Sequence, residues 1–384
     1  MRAPLVTAHT PRAVPEALRI LHLLNHTHRL NGHVHAAVDL ACAQARLGHD
    51  VTVCSGGGDF DALLRANGVS VVRLVQDRSR PAAVLRAVPA LARLARRADV
   101  VHAHMMTSAL LALPGCALTR VPLVTTVHNA FQRSAVMMGV GRRVIAVSAA
   151  VGRSMARRGI PAQRLRVVLN GTIGAARFEG AALAPEPLAA PSVLFVGGLH
   201  PRKGVADLIA AFARVHAVNG AARLTLVGEG PSLGAYRNAA TAAGCADAVT
   251  FAGAQHDPRP YLAGADIFVL PSHADPAPLV LSEAREAGCA VVASDVDGIP
   301  ELLASGRAGI LVPPRNPEAL AAAILSLTDD PTELARWRRN SQIDIEQLSV
   351  ARVARDTLAV YAECLTPARR ASAAEGRLAP SGAT

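Results

Sequence analysis

The chain has 384 residues, of which 51% are hydrophobic and 3% aromatic, and a formal net charge of +11. At roughly 150 residues per domain that is two to three domains with ample material for large cores, which excludes a wholly disordered chain. Scarce aromatic rings and the lack of any nucleic-acid motif set nucleic acid aside as a partner, and no run matches the ~18 uninterrupted apolar residues of a membrane span.

Residues 1–18 hold Pro4, Pro11 and Pro15 and no apolar block, so a disordered leader is expected there, not a signal peptide. From Arg19 onward, short β-branched or apolar runs alternate with longer alanine- and leucine-rich stretches, the pattern of a parallel sheet wound by helices. The first series predicts strands at Ile20–Leu24, Val51–Cys54, Ser70–Leu74, Val100–His102, Leu123–Val127, Val144–Val147 and Val167–Leu169. A helix from about Val34 to Leu47 should stop at Gly48, the usual place for a positive φ. The longest apolar run, Met105–Leu118, is interrupted by Pro114 and Gly115. Arginines cluster at Arg93, Arg96, Arg97 and at Arg142, Arg143, Arg153, Arg157, Arg158, which fits either peripheral docking on an anionic membrane or solvated helix faces.

An N-terminal domain over 19–171 gives way after Asn170-Gly171 to a linker over 172–192, rich in alanine and proline. A second domain over 193–340 follows, with strands expected at Val193–Val196, Leu224–Val227, Val249–Phe251, Ile267–Leu270, Val291–Ala293 and Ile310–Val312. Helical segments near Thr332–Asn340 and Val350–Cys364 come next, those over 341–365 expected to pack back on the first domain, and 366–384 reads as a disordered tail. The six cysteines, Cys42, Cys54, Cys116, Cys245, Cys289 and Cys364, are scattered with no C-x-x-C pair, as expected of reduced thiols in a cytoplasmic protein.

Two segments carry chemistry. In Phe195-Val196-Gly197-Gly198-Leu199-His200-Pro201-Arg202-Lys203-Gly204 a buried strand opens into a glycine loop before a helix near Val205. Backbone N–H groups and a helix N-terminus there suit a diphosphate, with two cations alongside. Lys203 is the single lysine of the chain. Its compact ammonium meets a phosphate oxygen as a point charge, where a guanidinium would impose planar geometry. In the second segment, Ala265 through Ala284, Asp275 lies in the loop before a helix and Glu283 about one turn inside it. Both can face one crevice with the N–H groups of Leu279 and Val280, ready for sugar and ribose hydroxyls. Alternatively, Asp275 caps the helix and Glu283 is a solvated helix residue.

The histidine pairs His26/His28, His33/His35 and His102/His104 raise the question of metal, but no acidic or cysteine partner sits at ligand spacing, and no metal site is expected. The turn after Ile20–Leu24 reads Asn25-His26-Thr27-His28, not G-x-G-x-x-G, which disfavours an NAD-dependent dehydrogenase.

Several motifs in fixed order give a resemblance: Asp99-Val100-Val101-His102-Ala103-His104, Thr125-Thr126-Val127-His128-Asn129, Ile145-Ala146-Val147-Ser148, Leu169-Asn170-Gly171, Lys203-Gly204, Leu226-Val227-Gly228-Glu229-Gly230-Pro231, and Asp275 through Glu283 running on to Gly298-Ile299-Pro300-Glu301. Together they resemble glycosyltransferase family 4 from Arg19 to Cys364. The resemblance implies an α/β GT-B fold, two Rossmann-like, doubly wound parallel-sheet domains facing across a cleft. It implies a metal-independent, retaining hexosyltransferase with no cofactor, taking a UDP- or GDP-linked sugar to a glycan, lipid-linked or small-molecule acceptor. Arg202 and Lys203, with the Gly197-Gly198 loop, would hold the donor diphosphate, Glu283 the ribose and Asp275 the donor sugar. Gly228 and Glu229 would line the nucleotide pocket, His128 would face the transferred sugar, and the Asn31-Gly32 loop would approach the phosphates and acceptor. Three departures are visible: Asp275 where a glutamate is usual, Gly198 where many relatives carry arginine, and Pro278 for a common glycine, which removes one N–H donor. A nucleotide-sugar epimerase of the same fold, or a non-catalytic nucleotide-sugar-binding partner, is the competing reading.

Overall fold

The computed structural model describes residues 17–29, 31–76, 81–180 and 184–365. The expected leader and tail fall outside these residues, except that Leu18 is buried and its N–H meets the His49 ring. The described residues form two compact units, one ending at Glu179 and resuming at Ser349, the other Gly180–Leu348.

The first unit is built on a seven-stranded sheet of β1 (Arg19–Leu23), β2 (Asp50–Ser55), β3 (Ser70–Arg73), β4 (Val100–Ala103), β5 (Leu123–Val127), β6 (Arg143–Ala146) and β7 (Leu165–Val167), in the order β3-β2-β1-β4-β5-β6-β7. Every pairing is parallel. β4 and β5 are buried along their whole length, as strands covered by helices on both faces must be. β1 starts one residue before the expected Ile20, because the Arg19 N–H and guanidinium are anchored on the Asp99 carboxylate. β7 lies two residues before the expected Val167–Leu169: its register pairs Leu165 with Val144, and Val168 already lies beyond it. The helix Gly32–Arg46 starts two residues early and ends ahead of Gly48 at φ 88°. Pro114 does not interrupt the helix Met106–Thr119, and Gly115 lets that helix approach Pro81–Arg96 so closely that a Cβ would stand 2.8 Å from the Ala92 Cα. Among the described residues no helix is long and apolar enough to cross a membrane.

The segment from Thr172, expected to begin a linker, is tied to the first unit. The Thr172 hydroxyl donates to Asp39, and Arg177 forms a buried ion pair with the same carboxylate. After the second unit the chain re-enters through Ser349, and the helix Val350–Cys364 packs on Gly32–Arg46, sending Leu358, Val360, Tyr361 and Cys364 into the core beneath β1 and β2.

The second unit holds β8 (Ser192–Val196), β9 (Arg223–Val227), β10 (Val249–Gly253), β11 (Ile267–Leu270), β12 (Ala290–Ser294) and β13 (Ile310–Val312), in a six-stranded sheet ordered β10-β9-β8-β11-β12-β13, again parallel. In each sheet the chain winds outward from one strand, then reverses: the switch falls between β1 and β4, and between β8 and β11. Crevices beyond strand carboxyl ends at such points are where open α/β sheets bind ligands.

Candidate functional site

At the second switch point β8 runs out through Gly197 and Gly198 into a short 3-10 turn, Pro201–Lys203, and the helix Val205–Val218. Gly204 joins turn to helix at φ 68°, and a Cβ there would fall 1.9 Å from the Pro271 carbonyl oxygen at the end of β11. Only glycine permits that approach, which brings Lys203 against the loop after β11.

The Lys203 Nζ donates to Asp275 Oδ2 at 2.6 Å, and the Ser272 hydroxyl reaches the same oxygen at 3.2 Å. Asp275 is buried, while Lys203 keeps 16% of its side chain exposed. Further bonds fasten the two loops: Arg202 Nη1 donates to the Ala274 carbonyl at 2.7 Å, the His273 N–H to the Arg202 carbonyl at 2.8 Å, and the His273 ring meets Asp207 in the first turn of Val205–Val218 at 2.6 Å. An ammonium has three N–H donors. One is held by Asp275 and the other two have no partner among the described residues. The ammonium is thus fixed by Asp275 and partly exposed, on the same 3-10 turn that carries Arg202.

The helix Leu279–Glu286 opens after Pro278, so the amides of Leu279 and Val280 form its N-terminus, and Glu283 on its fifth position is buried. The capping role weighed for Asp275 is not seen, since Pro278 precedes that helix and no side chain caps it. Across the sheet, Gly228 follows β9 and passes so near β8 that a Cβ would lie 2.0 Å from the Gly197 carbonyl oxygen. Its neighbour Glu229 is exposed and its carbonyl accepts from Leu199 N–H at 2.8 Å. Lys203, Arg202, Asp275, Gly197, Gly198, Gly228, Glu229, Leu279, Val280 and Glu283 therefore all belong to the second unit. His128 and Gly32 belong to the first.

Sequence reasoning missed two members of this group. Ser272 supports Asp275, and Asp297, at φ 48°, accepts the Asp275 N–H at 2.8 Å. The Asp297-Gly298 dipeptide is an ordinary turn signal and could have pointed there. Asp297 also closes one of two D-x-D spacings in the chain, Asp295-Val296-Asp297; the other is Asp59-Phe60-Asp61. Asp59 accepts from the Arg29 N–H, and Asp61 accepts from Thr27 and Arg73.

In the first unit, His128 follows β5, and His33, next to Gly32, lies 6.1 Å from it between ring centroids. The β1–β4 register sets His22 opposite His102, so His22, His102 and His104 share one face at the switch point, with ligand atoms within 4.8 Å of one another. His22 is absent from the histidine pairs that the sequence displays, and only the register reveals it. His102 is bonded to Tyr361 and Thr126 at 2.6 Å each, and His22 to Gln44 at 2.8 Å. Burial pushes His22 down to about 4 and His128 to about 3, with His102 and His104 well below the usual imidazole range.

Residues 30–172 match the family model described as Glycosyltransferase Family 4, and residues 190–330 that described as Glycosyl transferases group 1. The chain is 32% identical to a glycogen synthase of Mycobacterium tuberculosis over 84% of this chain and 89% of that protein. It is 31% identical to an alpha-maltose-1-phosphate synthase of Mycolicibacterium smegmatis over 70% and 79% of the two chains. Among solved structures it resembles Anabaena HepE in complex with UDP and glucose, at a TM-score of 0.74 and 21% identity, covering 88% of this chain and 97% of that one.

Proposed function

The chain belongs to glycosyltransferase family 4, the group 1 glycosyl transferases, and we propose that it is a retaining hexosyltransferase that moves a sugar from a UDP- or GDP-linked donor to a glycan, lipid-linked or small-molecule acceptor without a metal ion. The observation carrying this reading is the Lys203–Asp275 pair at the β8/β11 switch point, beside Arg202. Transfer breaks the bond between the anomeric carbon and the donor phosphate, and negative charge gathers on the leaving diphosphate. A unit charge 4 Å from another is worth about 4 kcal/mol at an effective dielectric near 20; Asp275 cancels part of the Lys203 field, so the leaving charge is met by Arg202 together with the Lys203 N–H groups that Asp275 leaves open.

Asp275 fixes the direction of the ammonium with one oxygen and keeps Oδ1 for a sugar hydroxyl; Glu283 takes the ribose, and His128 accepts a hydroxyl of the transferred sugar. The acceptor oxygen attacks on the face that the phosphate leaves, and the departing phosphate oxygen takes the acceptor proton, giving glycoside and nucleoside diphosphate with the anomeric configuration kept. The glycogen synthase and maltose-1-phosphate synthase relatives favour a glucosyl donor in polysaccharide synthesis, and the UDP and glucose bound by HepE favour uridine.

The test is incubation of purified protein with UDP- and GDP-hexoses and α-glucan, lipid-linked or small-molecule acceptors in excess chelator, reading nucleoside diphosphate release and the anomeric proton of the product by NMR. Transfer with retention, undiminished by chelator, is expected. Inverted product, strict need for magnesium or manganese, or an epimerised sugar nucleotide in the absence of acceptor would overturn the reading.

A further inference from the structure

Gln44, on the helix Gly32–Arg46, heads a file of hydrogen-bonded imidazoles. Its Oε1 lies 2.8 Å from His22 Nε2, His22 Nδ1 lies 2.9 Å from His104 Nε2, and His104 Nδ1 lies 3.1 Å from His128 Nε2. The Gln44 Nε2 lies 3.5 Å from the Tyr361 hydroxyl, which is itself bonded to His102 Nδ1. At the far end, His128 Nδ1 is buried and has no hydrogen-bond partner.

A neutral imidazole carries one ring proton, so each ring in such a file donates on one side and accepts on the other. With the Gln44 carbonyl oxygen facing His22, that ring donates from Nε2 and accepts at Nδ1. His104 must then donate from Nε2 and accept at Nδ1. His128 in turn donates from Nε2, and its Nδ1 is left as a bare lone pair. Turning the Gln44 amide over would reverse every bond and make that nitrogen a donor. In this orientation the Tyr361 hydroxyl accepts from the Gln44 amide nitrogen and donates to His102, so a reversed amide would also require that hydroxyl to turn and the His102 proton to move to Nδ1. Burial keeps the rings neutral, as the depressed values of His22 and His128 show.

We propose that Gln44, held by Tyr361, sets the tautomer of His128 through His22 and His104, so that His128 presents an unprotonated Nδ1 to the hydroxyl of a bound ligand. Tyr361, Gln44, His22 and His104 are positioning residues, acting on a ligand through His128. That the hydroxyl belongs to a donor sugar rests on the proposed transferase reading; the tautomer does not. A metal in the same cluster would need nitrogen lone pairs, yet both ring nitrogens of His22, His102 and His104 already have partners. An unpaired buried nitrogen at the end of the file is explained if a ligand completes it.

The experiment is NMR of the full-length protein labelled with nitrogen-15 histidine. Expected are a protonated Nε2 and bare Nδ1 at His128, with scalar couplings across the His22–His104 and His104–His128 hydrogen bonds. In Gln44→Met and Tyr361→Phe the His128 nitrogens should move toward a tautomer mixture. In the same variants, kcat/KM for the nucleotide sugar should drop several-fold to about ten-fold, the worth of one neutral hydrogen bond, mostly through KM. A proton on His128 Nδ1, absent couplings, unaltered His128 nitrogens in a folded variant, or stoichiometric metal in the isolated protein would each overturn the proposal. Where a variant does not fold, the wild-type couplings decide. Couplings present in a protein that transfers no sugar would sink the transferase reading and leave the relay intact.

Discussion

Lys203 is the single lysine, its amine is fixed by a buried carboxylate at 2.6 Å, and two of its N–H groups have no partner among the described residues. Lys203→Ala should lower kcat by about two to three orders of magnitude, the usual effect of removing a donor that acts on developing negative charge. Since the change also leaves Asp275 buried without its cation, thermal unfolding of the variant must be recorded alongside the rate, and a folded variant with near-normal turnover contradicts the assignment. Gly204→Ala should fail differently, because its Cβ would meet the Pro271 carbonyl at a positive φ. A loss of at least about 1–3 kcal/mol in stability, seen in urea unfolding, is expected. The importance of Lys203 was legible in the sequence by its rarity. The Asp275 pairing was not, since 72 residues separate the two and nothing local couples them. His22 is the harder case: it stands alone in sequence, and only the alignment of β1 on β4 sets it beside His102.

The thirteen strands among the described residues were legible as short apolar or β-branched runs between helical stretches, most plainly β4, β5, β11 and β12, which are buried along their whole length. Their ends were less so. Arg19 joins β1 through a carboxylate 80 residues away, and the register of edge strand β7 is set by β6. The elements meeting at β1 and β4 also carry a pH dependence. The partners of the histidine cluster, Gln44, Thr126 and Tyr361, are uncharged. The folded values of His22 and His128, about 4 and about 3, lie below the unfolded value near 6.5. The unfolded chain therefore binds more protons in that window, so stability is complete above about pH 6.5 and falls as pH drops toward 4. Each such group contributes about 1.4 kcal/mol per pH unit there. The melting temperature should decline steeply between pH 6.5 and 5, and a flat profile would show that the cluster accepts protons while folded.

Across the whole molecule, the charge of +11 gave little guidance. Of the arginines singled out for a membrane surface, Arg143 pairs with Glu363, and Arg158 donates to the Ala130 and Gln132 carbonyls. The last helix has a clearer role. Leu358, Val360, Tyr361 and Cys364 fill the core of the first unit, and a single buried leucine lost to alanine commonly costs 2–5 kcal/mol. Ending the chain at Leu348 should unfold the first unit while the second still gains thermal stability from added UDP or GDP, by mass action. Calorimetry of the shortened chain checks both halves of that expectation.

The same return of the chain bears on how the protein is made. Domains ordinarily mature in the order in which the ribosome delivers them. Here the residues of the second unit are all synthesised before the closing helix of the first emerges, so the later-encoded half can reach its native state while the earlier half waits, its unfinished core open to chaperones or to aggregation. A nascent chain arrested on a linker added after Leu348, long enough to carry that residue clear of the ribosome, should be protected from protease over Gly180–Leu348 and cleaved ahead of it.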